Sequence, residues 1–137
     1  MLTPVFLLIT AATGAYFFAL GVITPILPRF VEGPLHEGNV QVGIAIGTFA
    51  LTAVLLRPFV GVLSDRRGRR PLVMFGGALV GASIACYSIS TSLALLILFR
   101  VTSGVGEAAF YVGVASVVND IAPDERRGEA LSYFSLA

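Results

Sequence analysis

Long apolar runs separated by short polar stretches set the rhythm of this chain. Four of them occupy about residues 5–27, 40–62, 72–89 and 93–118, and a fifth opens at 129 and reaches 137 after less than half a crossing. A helix rises about 1.5 Å per residue, so roughly 20 apolar residues span a hydrocarbon core of about 30 Å. Lipid offers no hydrogen-bond partner to a bare backbone, and each full run therefore predicts a spanning helix. No Lys or Arg precedes the first run, and its apolar part is too long for a cleaved leader. Pro25 and Pro28 predict that this helix bends or ends near the far surface. The polar stretch 29–39, with Glu32, His36 and Glu37, reads as an outside loop in which a lone histidine is simply solvated. Gly14 and Gly21 in the first run, and Gly43, Ala45 and Gly47 in the second, offer small-residue faces for close helix packing. Thr48 and Thr52 are read as bonding back to their own backbone. The third run, rich in Gly76, Gly77, Gly81 and Ala82, reads as a packing helix without chemistry of its own. The predicted fold class is all-α, a multi-helix transmembrane bundle.

Composition narrows the partners. Of the 137 residues 56% are hydrophobic and 12% charged, with a mean hydropathy of +0.90, against about 25% charged in soluble domains. The lipid bilayer is the first partner this implies. The nine basic residues are all arginines, the net charge is +1, and the arginines gather at turns instead of forming a long basic face, which speaks against a nucleic-acid partner. Arg66, Arg67, Arg69, Arg70, Arg126 and Arg127 lie between runs two and three or after run four, whereas the opposite side holds only Arg29. The excess of arginine on one side predicts a cytoplasmic N-terminus in a cell membrane. Cys86 stands alone inside an apolar run, so it forms no internal disulfide and reads as a small packing residue.

The densest charge in the chain is Gly61 to Leu72, Gly-Val-Leu-Ser-Asp-Arg-Arg-Gly-Arg-Arg-Pro-Leu. A chain that leaves one membrane helix and re-enters as the next needs backbone freedom, read here at Gly61 and Gly68, and Pro71 is read as a stop. The arginines hold the turn in the headgroup layer. Asp65 is not needed for that, and is better placed to face a helix N-terminus or an arginine as a latch between moving parts. The spacing of Gly61, Leu63, Asp65, Arg66, Gly68, Arg69 and Arg70 resembles the signature loop Gly-x-Leu-x-Asp-Arg-x-Gly-Arg-Arg of the major facilitator superfamily, which joins the second and third helices of those transporters. The Pro25-Ile-Leu-Pro28 segment is similar to the end of the first helix in many members. The resemblance implies a fold of about twelve helices in two halves with the substrate site near the midplane, of which 1–137 is a partial N-terminal transmembrane domain, roughly the first third.

Ionisable groups within the apolar runs are the candidates for chemistry. Arg57 lies in the second run, where it can snorkel, pair or line a pathway. Arg100 and Glu107 lie in the fourth, seven residues apart and so on nearly the same helical face, with Ser103, Gly104 and Tyr111 on or near it. A carboxylate near mid-membrane costs about 2.5 to 3.5 kcal/mol on insertion scales and therefore reads as facing a cavity or a partner. Burial favours the protonated form of a carboxyl and a neighbouring guanidinium the ionised form, which is the tension a proton carrier needs. A structural Arg100–Glu107 ion pair is the competing reading. The segment Arg100-x-x-Ser103-Gly104-x-Gly106 resembles the fourth-helix motif of the superfamily, an arginine followed by a glycine-containing stretch linked to proton coupling, with Ser103 where the usual glutamine stands. Pro123-Asp-Glu-Arg-Arg127-Gly128 resembles the Pro-x-x-x-Arg-Gly loop that follows the fourth helix. There an acid at the helix end pairs with an arginine of the signature loop, and Asp120 and Arg69 match those positions as a cytoplasmic gate.

The sequence therefore points to a secondary active transporter, a proton-coupled exporter of a small organic solute working by alternating access, with import as the other direction. Its partners are lipid, a small-molecule substrate, and either the remaining helices of a longer transporter or a second copy. No cofactor is called for beyond a proton gradient. A four-helix exporter that self-associates is a second reading, weakened by the lack of an acid in the first run, and a non-transporting membrane assembly module is a third. No metal cluster, nucleophile triad or phosphate loop is legible, so an enzyme is not expected.

Overall fold

The computed structural model describes residues 3–135. It comprises α1 (Pro4–Glu32), α2 (Asn39–Arg67), α3 (Arg70–Tyr87), α4 (Leu93–Ile121) and, after a single 3-10 turn at Asp124–Arg126, α5 (Arg127–Ser135). Leu136 and Ala137, predicted to continue the fifth helix, lie outside the described residues. Helices α1 to α4 are each long and apolar enough to cross a membrane, and no strand occurs among the described residues. The chain is an all-α membrane bundle.

Local chemistry explains most helix starts. The Thr3 hydroxyl accepts the Phe6 N–H at 3.3 Å and Pro4 takes the first helical position of α1, where its missing N–H is harmless. Ser92 caps α4 in the same way through the Leu95 N–H. Three sequence expectations are corrected. Helix α1 does not end near residue 27 but runs through Pro25 and Pro28 to Glu32, so the loop between α1 and α2 is only 33–38. Leu27 and Val31 lie beyond or between the prolines and are buried with Val42, Ala45 and Leu96, and this packing holds the last turns despite the missing N–H groups. Helix α2 continues past residue 62 to Arg67, placing Gly61 inside a helix, where no turn is made. Arg66 and Arg67 complement the carbonyl end of that helix. The reversal falls on Gly68 alone, at φ 87°, with its N–H bonded to the Ser64 carbonyl at 3.0 Å. Pro71, expected as a stop, instead sits in the first turn of α3 and helps to start it.

Helix α4 is the spine, packed between α2 and α3, with α1 and α5 touching it over shorter stretches. The closest approach is α3 on α4. A β-carbon added at Gly76 would stand 2.5 Å from the Gly106 carbonyl oxygen, and one at Gly106 would stand 2.9 Å from that of Gly76. Gly104 does the same service toward α2, where a β-carbon would meet the Phe49 carbonyl at 2.9 Å. Gly21, Gly43 and Gly47, read from the sequence as packing positions, face outward instead, and a β-carbon on any of them would have nothing within 4 Å. Two apolar cores result. One gathers Phe6, Phe110, Val114, Val118, Ala122, Ala130 and Phe134, and the other Leu27, Val31, Val42, Ala45, Tyr87 and Leu96. The α4 segment between them, 100–107, carries the charged groups. Leu8, Phe18 and Phe59 project from the outside of the bundle, which suits contact with lipid.

Candidate functional site

Glu107 stands at the middle of the 29-residue α4 and is 4% exposed. Its partner is Arg57 of α2, whose Nη2 donates to Oε1 at 3.1 Å. The same guanidinium lies 4.3 Å from the centroid of the Tyr111 ring, one turn further along α4. Arg57 thus binds at once to a carboxylate and to a ring face, the two groups that most favour a cation in low dielectric. The pairing is not saturated. Glu107 Oε2 and Arg57 Nε have no hydrogen-bond partner among the described residues, and neither does the buried Tyr16 hydroxyl, whose ring stacks on Phe110 at 4.0 Å.

Arg100 does not pair with Glu107, contrary to the ion-pair reading of their spacing. Seven residues of helix bring two side chains to one face but about 10 Å apart along the axis, and each finds a nearer partner on another helix. Arg100, 6% exposed, donates from Nε to the Ala45 carbonyl at 3.0 Å and from Nη1 to the Tyr87 hydroxyl at 3.5 Å, and lies 4.8 Å from the Phe49 ring centroid. Ser103 donates to the Arg100 carbonyl at 3.0 Å, so the 2.6 Å contact between Tyr87 and Ser103 is donated by the tyrosine. Sequence reasoning missed Tyr87 and assigned its helix no chemistry. The available signal was a tyrosine at the end of an apolar helix, whose hydroxyl must find a partner when buried.

At the far end of α4, Arg69 forms an ion pair with Asp120 and also reaches the Ser116 carbonyl at 3.4 Å. The loop after α4 is fastened by its own arginines. Arg127 donates to the Asn119 carbonyl at 3.3 Å and pairs with Asp124 at 2.7 Å, and Arg126 makes two bonds to Glu129 at 2.7 and 2.8 Å. The Glu129 hydrogen bond raises the Arg126 pKa above its ordinary value. Asp65, Arg66 and Arg70 are exposed and form no ion pair among the described residues. The structure thus joins Arg57 with Glu107 and Tyr111, joins Arg100 with Ser103 through Tyr87, joins Arg69 with Asp120, and leaves Asp65 apart. Thr48 and Thr52 donate to the carbonyls of Ile44 and Thr48, four residues back.

Helices long and apolar enough to cross a membrane, one ion pair midway along the central helix and a second at its end define a multi-pass membrane protein. The Major Facilitator Superfamily pattern matches residues 9–137, and the chain belongs to that family. It is 26% identical over 119 residues to quinolone resistance protein NorA of Staphylococcus aureus (strain Mu50 / ATCC 700699), covering 87% of this chain and 30% of that protein. It is also 26% identical over 133 residues to multidrug resistance protein 2 of Bacillus subtilis (strain 168), covering 97% of this chain and 33% of the relative. The chain spans about a third of the length of these relatives.

Proposed function

We propose that the native protein carrying this sequence is a secondary active transporter of the cell membrane that exports a small organic compound in exchange for protons moving down their gradient, with its N-terminus in the cytoplasm. The observation that carries the reading is Glu107, a carboxyl at the centre of a spanning helix, buried, paired to Arg57 and holding one unbonded oxygen. Protonation of that carboxyl removes the charge that holds Arg57 and frees α2 from α4; deprotonation restores the pair. Export is supported by two relatives named for resistance to quinolones and to multiple drugs. The arginine excess at the α2–α3 and α4–α5 turns supports the orientation. Arg69 and Asp120 act in this reading as a cytoplasmic gate, closed in one state and opened in the other.

The direct test is Glu107→Gln in the native protein reconstituted into vesicles with an imposed pH gradient. Flux in the variant is expected to lose its dependence on the gradient while the protein remains folded, because glutamine keeps the shape and cannot exchange a proton. Gradient-driven flux equal to that of the unmodified protein would remove Glu107 from the coupling mechanism.

A further inference from the structure

Resting on the reading of Glu107 as the proton carrier, we propose that Tyr16 of α1 is a positioning residue for that carboxyl. Its hydroxyl becomes the partner of Glu107 when a proton arrives and Arg57 lets go, so that protonation moves the tie on α4 from α2 to α1. The Tyr16 ring lies on the Phe110 ring at a centroid distance of 4.0 Å and an interplanar angle of 20°, and the Phe17 ring meets that of Tyr111 edge-on at 6.3 Å. Phe110 and Tyr111 follow Glu107 by three and four residues, so they share a face of α4 and lean back toward the turn that holds it. Two consecutive residues of α1 are thus laid across that turn. The Tyr16 hydroxyl lies within electrostatic reach of the Glu107 carboxylate.

The Tyr16 hydroxyl oxygen is buried yet bonds nothing among the described residues, and Glu107 Oε2 is in the same condition. Thr10 and Thr13 of the same helix bond the carbonyls of Phe6 and Ile9, four residues back. The Tyr16 hydroxyl, carried at the far end of a ring, has no such outlet on its own helix. A buried hydroxyl and a buried carboxyl oxygen each cost free energy until they are paired. A phenol and a neutral carboxyl both donate and accept, so each satisfies the other. With Arg57 bonded to Oε1, Oε2 stays short of Tyr16, and that bond waits for the guanidinium to leave. Protonation supplies the release. The proton adds to Oε2, the oxygen that Arg57 does not hold, while Arg57 and Tyr16 keep their own protons. The neutral acid then donates its O–H to the tyrosine oxygen, and Arg57, 40% exposed, is freed to the open side from which it reaches in. The other charged and titratable groups near this turn are engaged elsewhere. Arg100 and Tyr87 are held by the Ala45 carbonyl and Ser103, Tyr111 gives its ring face to Arg57, and α5 meets Tyr111 through the apolar Phe134.

The test is infrared difference spectroscopy of the purified native protein through a pH titration, with the C=O stretch of protonated Glu107 identified by its loss in Glu107→Gln. Tyr16→Phe keeps the ring on Phe110 and removes only the hydroxyl. Because Tyr16 serves the protonated form alone, Tyr16→Phe is expected to weaken proton binding at Glu107 about fivefold, the worth of one hydrogen bond. The titration midpoint therefore moves to lower pH, the C=O stretch moves to higher frequency, and the pH profile of gradient-driven flux follows the midpoint. A merely structural tyrosine moves none of the three. In protein carrying ring-labelled tyrosine, the phenol C–O stretch is expected to shift in step with Glu107 protonation, to do so in Tyr111→Phe as well, and to lose the step in Glu107→Gln. An unmoved midpoint and C=O band in a folded Tyr16→Phe protein overturn the proposal. So does a midpoint moved to higher pH, a phenol band that ignores Glu107, or a Glu107 that takes no proton at any pH where the protein is folded. The proton-coupling reading fails separately. If Glu107→Gln loses gradient-driven flux while Tyr16→Phe moves nothing, coupling stands and the exchange of partners falls; if the bands move as expected while Glu107→Gln flux keeps its gradient dependence, the reverse holds.

Discussion

Arg100 is a cation buried without a carboxylate beside it among the described residues, and its surroundings show how that is tolerated. A guanidinium spreads its charge over a plane, so one edge donates to the Ala45 carbonyl while the ring faces of Phe49 and Tyr87 lie 4.8 and 5.7 Å from its centre. Lysine has no second donor edge and no plane, so Arg100→Lys is expected to lower thermal stability despite keeping the charge. Tyr87→Phe is the finer probe. It removes the hydroxyl that accepts from Arg100 and donates to Ser103, and is expected to cost about 1–3 kcal/mol for the groups left unpaired, read as a lowered melting temperature of the purified protein. A Tyr87→Phe protein as stable as the original would show that the Arg100–Tyr87–Ser103 chain holds nothing together. These residues also mark where the sequence is legible. That Arg57, Arg100 and Glu107 must find partners follows from their place in apolar runs. Which partners they find does not, because Glu107 meets an arginine fifty positions away along the chain, and Arg100 meets a main-chain carbonyl that no side-chain pattern announces.

At the scale of elements, the glycines of α3 and α4 show that composition alone does not distinguish a packing face from an open one. Gly76 and Gly81 lie in the same helix, yet only the first faces a backbone, with a β-carbon 2.5 Å from both the Gly106 oxygen and the Phe110 nitrogen; at Gly81 nothing lies within 4 Å. Gly76→Ala must push α3 off α4 and is expected to destabilise by about 1–3 kcal/mol or more, the usual cost of overpacking. Gly81→Ala has room, and is expected to be neutral or to stabilise the helix by up to about 1 kcal/mol. Thermal melts of the two variants in one detergent give the comparison, and equal melting temperatures would mean that the α3–α4 contact gives way without cost. The glycine-rich third run was readable as a packing helix, and the presence of four helices able to cross a membrane followed from the apolar length of the runs. The helix ends were less readable. Buried Leu27 and Val31 carry α1 past its prolines, and α2 extends as a helix beyond its apolar run because arginines suit a helix C-terminus, neither of which a hydropathy pattern contains.

For the whole molecule, the question is whether the charges at the end of α4 hold the bundle together or set which way it faces. The Arg69 and Asp120 side chains are 29% and 49% exposed, and an ion pair so open to solvent contributes about 0–1 kcal/mol to folding. A purely structural pair would therefore be nearly dispensable. A difference of that size matters far more to an equilibrium between two open states of similar energy, since about 1 kcal/mol changes their ratio roughly fivefold. Arg69→Gln and Asp120→Asn are thus expected to leave the melting temperature almost unchanged while shifting transport, and the accessibility of a reporter cysteine on α4, by several-fold. The reporter is introduced after replacement of Cys86, the single cysteine of this sequence. The double variant Arg69→Asp with Asp120→Arg restores attraction with the charges exchanged, and is expected to recover most of what each single change loses. Recovery of accessibility and flux together, with stability flat throughout, identifies a gate. Loss of stability in the single variants, with accessibility unmoved, would make the pair an ordinary fastening between the start of α3 and the end of α4, and the arginines of the α2–α3 turn would then serve only to hold it at the membrane surface.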